Sequence, residues 1–444
     1  MRDYKLGNQL YDLRKNAKLT QEELADKIGV TDKAISKWEN GSSLPTTENL
    51  RKLANIFDIS VDALLTLKDS IEEDEKKIAK IVLTGGPCAG KTTAMNWIQN
   101  FFTKQGYKVL FVSESATELI TGGVAPWTTN TNIDFQRVNL QLQLEKERLY
   151  EEAALNMPNS KILIVCDRGI LDNKAYMSQQ DFNKILRSLN LKEIIIRDNY
   201  DAIFHLVTAA KGAEQFYNLD NAARTENIEQ ATLLDDRLIA AWTGHPHLRI
   251  VDNSTNFEDK MKRLLKEISN YLGEPEPYEI ERKFLIEYPN IEYFESLPNC
   301  SKVQIVQTYL KSNENEEVRV RQRGCNGTYT YSRTRKISIS PIKRIELEER
   351  ITSEEYIEAL LNADTQKSQI IKDRYCIAYD NQYIEIDVYP FWNNQAIMEI
   401  ELSDEFEEVR IPEFVHVIKE VTNDSNYKNS SLASNKVKTL VQNN

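Results

Sequence analysis

One short stretch narrows the possible folds of this chain more than any other. KIAKIVLTG is apolar and β-rich enough to be a buried strand, GGPCAGKTT runs on from its last glycine, and AMNWIQNFFTKQG continues with helical spacing. A strand feeding a glycine-rich loop and then a helix predicts an α/β domain with a parallel sheet. The loop matches G-x-x-x-x-G-K-[S/T] at Gly85, Gly90, Lys91 and Thr92. Its glycines let backbone N–H groups turn toward phosphates, and the following helix adds its positive end. Gly85, Gly86, Gly90, Lys91, Thr92 and Thr93 are therefore the expected cofactor contacts, for ATP or GTP with Mg²⁺ (or Mn²⁺). Lys91 reaches the terminal phosphates and the Thr92 hydroxyl binds the metal.

The surrounding pattern sets the boundaries. With 444 residues the chain has room for about three domains. Residues 1–67 carry helical periodicity, and 68–77 (KDSIEEDEKK) read as a charged linker. Residues 78–273 alternate strand and helix, and EPEPY breaks the chain after Gly273. Residues 276–440 are dominated by short alternating strands. The expectation is a multidomain protein with an all-α head, an α/β parallel-sheet domain and an antiparallel β domain.

Composition excludes several classes. No apolar run approaches the ~18 residues of a membrane span, and the first residues lack the apolar centre of a signal peptide, so a cytoplasmic location is expected. Five scattered cysteines without a CxxC pair argue for free thiols rather than disulfides or zinc. A net charge of −12 means that any nucleic-acid contact needs a local basic face.

In the α/β domain, strand KILIVCD ends on Asp167, where a Mg²⁺-organising carboxylate belongs. Arg168 follows it and can meet a phosphate or a neighbouring acid. KVLFVSE puts Glu114 at the carboxyl end of the sheet, as a ligand contact or a helix cap. VSESATELI, CDRG, NAARTENIEQA and GHPHLRIVDNST resemble the nucleoside-kinase-like P-loop family, which includes the kinase part of NadR and the P-loop half of the animal TRP-channel translocation factors. That resemblance implies a kinase-like or AAA-type NTPase domain with Lys91, Asp167 and Arg224 as catalytic groups, Arg224 on a lid. Arg224 reads equally as a solvated helix residue. The resemblance also puts Asn253–Thr255 beside the base. Trp127 can stack on a substrate ring or anchor local packing.

The β domain carries runs of one sign on single strand faces: Arg319, Arg321 and Arg323; Arg344, then Glu346 and Glu348; Lys372 and Arg374; Glu385 and Asp387; Glu399 and Glu401. A wet face accounts for period two, but like charges repel unless opposite charge lies between them. A polyanion with a divalent cation meets that need. YEIERKF, IVQTYL, YSRTRK, RIELEE, YIEIDVY and NYKNSSLA resemble the CYTH or triphosphate-tunnel family, a closed antiparallel barrel with a charged lumen. The resemblance implies Glu279, Glu281, Glu399 and Glu401 as metal ligands. It implies Lys283, Arg319, Arg321, Lys336, Lys372 and Arg374 as triphosphate ligands.

At the N-terminus, LTQEELADKIGVTDKAISKWEN reads as helix, turn at Gly29, helix, and resembles the Xre/Cro-type helix-turn-helix. Its second helix, Asp32–Glu39, would enter the major groove with Thr31, Lys33, Ser36 and Lys37 facing DNA, and Gln21 would hold a phosphate. Ten Lys/Arg against ten Asp/Glu make residues 1–67 neutral. Such a module reads as DNA-binding in a homodimer, or as a protein-interaction bundle. Together these features point to a nucleotide-responsive DNA-binding regulator with a metal-dependent triphosphate tunnel. The alternative is a small-molecule kinase or triphosphatase in which the helix-turn-helix is accessory.

Overall fold

The computed structural model describes residues 10–11, 13–15, 17, 19–39, 43, 45–57, 76–217, 227–273, 280–312, 316–338, 344–402 and 408–434. The chain divides into two compact units, Met1–Lys77 and Ile78–Asn444. Most of the 68–77 linker and both Arg224 and Glu279 lie outside the described residues, as do the side chains of Arg344 and Glu346. Lys77 already belongs to the first strand, so the linker ends before it.

In the first unit, helices α1 (Gln21–Ile28), α2 (Asp32–Glu39) and α3 (Thr47–Ile56) enclose Leu24, Ile28, Ile35, Trp38 and Leu53. Thr20 caps α1 in a capping box with Glu23, which satisfies two otherwise orphaned N–H groups. Gly29 ends the helix in the left-handed region (φ 75°), where a side chain is strained. That glycine sets the turn between the two motif helices. Beneath them Arg14 donates to both oxygens of Glu39 at 2.6 and 2.9 Å and to Leu19 O at 2.9 Å.

The second unit opens with a five-stranded sheet in the order β2-β3-β1-β4-β5. Its strands are β1 (Lys77–Gly85), β2 (Lys108–Val112), β3 (Lys161–Asp167), β4 (Ala202–Leu206) and β5 (Leu248–Val251). The pairs β2/β3, β1/β4 and β4/β5 are parallel. Alternate residues of β1 enter different cores: Ile81 and Leu83 pack with helices α4 (Lys91–Lys104) and α10 (Phe257–Leu272), and Val82 packs with Phe182 and Trp242. Both faces are thus covered, as a parallel sheet requires. On the second face lie α6 (Asn132–Asn156), α7 (Gln179–Ser188) and α9 (Ile228–Trp242). The short helices α5 (Ser115–Thr121) and α8 (Glu193–Arg197) precede α6 and α9 in sequence. Strand order reverses at β1, which places the loop after it at the switch point where open α/β sheets bind ligands.

The remaining strands form one nine-stranded antiparallel sheet, ordered β10-β9-β8-β7-β11-β12-β13-β6-β14. They are β6 (Ile280–Glu287), β7 (Cys300–Leu310), β8 (Glu316–Cys325), β9 (Thr328–Ser338), β10 (Arg344–Ile351), β11 (Ile370–Tyr379), β12 (Gln382–Val388), β13 (Gln395–Leu402) and β14 (Val417–Glu420). Its hydrogen-bonded order begins at β10 and ends at β14, so among the described residues it is an open tunnel wall, where a closed barrel was expected. Helix α11 (Ile291–Ser296) covers one face with Phe294, against Phe284, Ile384, Met398 and Ile400. Helix α12 (Ser353–Leu360) packs Tyr356 on Val320. The opposite face carries the charged side chains. No helix of the described residues is long and apolar enough to cross a membrane.

The Arg14–Glu39 pair tests the head's construction. Replacing one member of a buried pair strands the other charge and typically costs about 3–5 kcal/mol. Glu39→Ala should therefore accelerate amide exchange throughout α1 and α2 at constant pH. Unchanged protection would mean that this pair does not hold the head together.

Candidate phosphate sites and the helix-turn-helix face

The loop after β1 is held from below. At Gly90 (φ 92°) an added Cβ would lie 2.6 Å from the Phe257 ring, so the close helix approach requires glycine. Asp235, fully buried on α9, fixes the loop's start. Its Oδ1 accepts from Gly86 N (3.0 Å) and Thr208 N (3.1 Å) and meets His205 Nε2 (3.0 Å), and Oδ2 accepts from Lys211 Nζ (3.0 Å). Burial raises the pKa of this carboxyl, but His205 and Lys211 overcome that and hold it well below the usual carboxylate range. Lys260 steadies the far end: its buried ammonium donates to Val207 O and Asn253 Oδ1 at 2.7 Å and to Ala89 O at 3.4 Å. Burial among these neutral partners brings its pKa down to about 8.

Above the loop the expected groups converge. Lys91 opens α4, its pKa lowered by burial and by Arg168, with Asp167, Glu114 and Asp172 opposing. Asp167 Oδ1 is buried with no hydrogen-bond partner among the described residues, and burial raises its pKa against the pull of Lys91. Arg168 (φ 69°) turns back to donate to Glu114 Oε1 at 2.5 Å. Glu114 stands at the N-cap position of α5 but takes Arg168 and the Thr117 hydroxyl instead of capping. Arg168 therefore does pair with an acid, and both sit beside Lys91. Asn253 is a staple between loops, its amide donating to Thr208 O (2.8 Å) and Lys211 O (2.7 Å). Trp127, 76% exposed, is not a packing anchor.

The tunnel residues share one cavity of about 1660 Å³. Lys283, Arg319, Arg321, Lys336, Lys372 and Arg374 line it, together with Glu281, Glu399 and Glu401. Several of the like-charged residues pair with opposite charge on neighbouring strands. Arg374 lies opposite Asp387 in register and donates to it twice at 2.7 Å, to Glu399 at 2.8 Å, and to Glu385. Lys283, opposite Glu399 across the β6/β13 pair, meets it at 2.7 Å. Lys372 donates to Asp387, although burial and Arg374 lower its pKa to about 8. Lys283 and Arg374 hold Glu399 well below the usual carboxylate range despite its burial. Asp387, fully buried at the hub, was visible in sequence only as a member of an acidic face. Among the described residues no three His, Cys, Asp or Glu groups are gathered as a metal cluster.

Arg323 departs from its strand neighbours. Its guanidinium binds both oxygens of Asp198 at 3.0 and 3.1 Å and also the Gly244 carbonyl, clamping the tunnel to the α/β domain. Thr330 adds 2.7 Å to Asp198, and Tyr383 bridges Gly244 N and His245 O at 3.1 and 2.9 Å.

On the head, Thr31, Lys33 and Lys37 are exposed and Ser36 is half-buried along α2. Thr31 also receives Ala34 N at 3.3 Å, capping the helix. Gln21 donates to Glu39 at 2.7 Å, so its amide nitrogen is engaged within the head.

A family model described as helix-turn-helix matches residues 10–64, and one described as an AAA domain matches residues 80–260. The cryptic phage CTXphi transcriptional repressor RstR of Vibrio cholerae is 35% identical over 94 residues, 18% of this chain and 84% of RstR. The transcriptional activator BcrR of Enterococcus faecalis is 38% identical over 65 residues, 15% of this chain. The match spans only about a third (32%) of BcrR. By its first domain the chain belongs to the helix-turn-helix family of transcriptional regulators. Among solved structures, the inorganic triphosphatase NE1496 is 27% identical, with a TM-score of 0.25 over 35% of this chain and 95% of its own.

Asp235 generates a prediction. Its folded pKa lies below the ordinary 3.8, so the stability it contributes is present above that pH and fades as pH falls through the folded value. Asp235→Ala leaves three buried donors without their acceptor, and each costs about 1–3 kcal/mol. Thermal melts should show the variant well below wild type at pH 7 and closer to it as the pH is lowered below about 4. Calorimetric titration should show ATP affinity at least about tenfold weaker, because the loop's first N–H has lost its anchor. Unaltered melting and affinity would remove Asp235 from this role.

Proposed function

We propose that this chain is a DNA-binding regulator whose DNA affinity is set by the nucleotide held in the loop Gly85–Thr93, with a second, oligophosphate-binding site in the tunnel. The observation that carries the reading is the loop itself. A glycine-rich turn is pinned at both ends by Asp235 and Lys260, with Lys91 at its end and an Asp167 oxygen that is buried and has no hydrogen-bond partner among the described residues.

That oxygen and the Thr92 hydroxyl at the first turn of α4 are hard donors suited to Mg²⁺, whose role when bound is to neutralise phosphate charge. Lys91 attracts the terminal phosphates, the loop N–H groups orient them, and the Glu114–Arg168 pair faces whatever lies beyond. In the tunnel, Glu399 and Glu401 are engaged by cations, so they accept a metal only as those cations transfer to an incoming anion. Glu281 stands 3.5 Å from Lys283.

A neutral helix-turn-helix has weak attraction for DNA phosphates, so useful affinity requires two copies on a two-fold site. Lys33, Lys37, Ser36 and Thr31 then face the groove. The Glu114–Arg168 pair beside Lys91 favours a second reading, phosphoryl transfer from the same bound nucleotide to a small acceptor.

A mobility-shift assay on the DNA upstream of the coding region, at fixed salt, separates the two readings. Binding by wild type should differ several-fold between no nucleotide, ADP–Mg²⁺ and ATP–Mg²⁺. Lys37→Ala should lose binding in all three, and Lys91→Ala should lose only the nucleotide response. Strong binding that is identical in all three conditions contradicts the regulator reading.

A further inference from the structure

The tunnel cavity is not lined by the tunnel alone. Strand β5 of the α/β domain packs against β12, and Arg249, from its middle, reaches through to Glu401 on β13. Its Nε stands 3.5 Å from Glu267 of α10. Arg249, Glu401 and Glu267 all line the same cavity as Lys372 and Arg374. Glu401 lies two residues beyond Glu399 on the same strand face, about 7 Å along the lumen.

The cross-domain arginines differ in kind. Arg323 is 6% exposed and engages both oxygens of Asp198 and a backbone carbonyl, which makes it a clamp. The Arg249 side chain is 25% exposed and Glu401 30%, so both side chains reach the lumen and can exchange partners, although the Glu401 oxygen that meets Arg249 is itself buried. The volume, about 1660 Å³, also exceeds the roughly 300–1,000 Å³ typical of small-ligand pockets. There is room for an anionic chain to extend past Arg374 to the α/β wall.

We propose that Arg249 is a ligand of the tunnel's oligophosphate, supplied by the neighbouring domain and held in reserve by Glu401. This rests on the oligophosphate reading of the tunnel. When a metal-bound chain of phosphates enters, Glu401 turns to the cation and Arg249 to a distal phosphate oxygen. One opposite-charge pair becomes two, and neither charge is left buried alone. Tunnel occupancy thereby breaks a contact made by β5. Two residues past β5's Ile250 lies Asp252, which is bound to Arg263 at 2.9 Å and precedes the Asn253 staple under the nucleotide loop.

The test is calorimetric titration of inorganic tripolyphosphate into the full chain, carrying Lys91→Ala so that the nucleotide loop does not contribute. It is run with Mg²⁺ and with excess chelator, alongside thermal melts. Arg249→Ala should weaken Mg²⁺-dependent binding about 10–100-fold, the loss of one charge-assisted contact, with Arg249→Lys intermediate. Glu401→Gln should weaken binding in Mg²⁺ yet strengthen it in chelator, because Arg249 is released. A purely structural arginine does not give that opposite pair of shifts. Parent protein that binds while Arg249→Ala binds equally overturns the inference and leaves the tunnel reading intact. Equal losses in Mg²⁺ and chelator from Glu401→Gln overturn it too. Folded parent protein that binds no tripolyphosphate in either condition overturns both.

Discussion

Charge taken out of water must find opposite charge or a full set of hydrogen bonds, and every working part of this protein is organised by that requirement. In the head, Arg14 and Glu39 join the segment before the motif to the end of its second helix. In the α/β domain, Asp235 ties Gly86 to the loop after β4. Between that domain and the tunnel, Asp198 receives Arg323, Thr330 and Arg197. In the lumen, Asp387 and Glu399 hold three cations within a few ångströms of one another. Buried pairs contribute little net stability compared with well-packed apolar groups, and their usual cost is accepted where position matters. Here each one positions a loop, a helix or a ligand wall.

Much of this was readable from residue order. The nucleotide loop, the turn at Gly29 and helix Asp32–Glu39 are local, set by glycine placement and apolar spacing over fewer than a dozen residues. The six basic tunnel residues follow from the family resemblance, with period-two strand faces behind most of them, and all six line one cavity. What could not be read is pairing over distance: Arg14 with Glu39, Arg168 with Glu114, Arg323 with Asp198. An acid and a base 125 positions apart leave no periodic trace. Asp235 did leave one. Ala231, Leu234, Leu238 and Trp242 mark the buried face of α9, and an aspartate at 235 falls on it. An acid on an apolar helix face has a partner, and that signal was available. The open strand order among the described residues was not, because closure depends on the geometry of edge strands.

Same-sign strand faces need opposite charge between them, which a polyanion with a divalent cation can supply. In the structure Arg374 lies across from Asp387 and Lys283 across from Glu399, so these charges neutralise one another, while Glu385 faces Glu399 and Glu281 faces Glu401 with like charge. A ligand must therefore compete with carboxylates already present. On the proposed reading a metal takes up the carboxylates as the phosphates take the cations.

The two candidate phosphate sites lie in one compact unit of a chain that also carries a helix-turn-helix, and on the proposed reading occupancy of the first is transmitted to DNA. Linkage makes the claim symmetrical: whatever factor nucleotide applies to DNA affinity, DNA applies to nucleotide affinity. The most direct measurement is calorimetric titration of ATP–Mg²⁺ into the full-length protein, free and then saturated with the DNA it binds. The account predicts dissociation constants that differ severalfold, by the same factor as the nucleotide effect on DNA binding. Equal constants in the two titrations would contradict it.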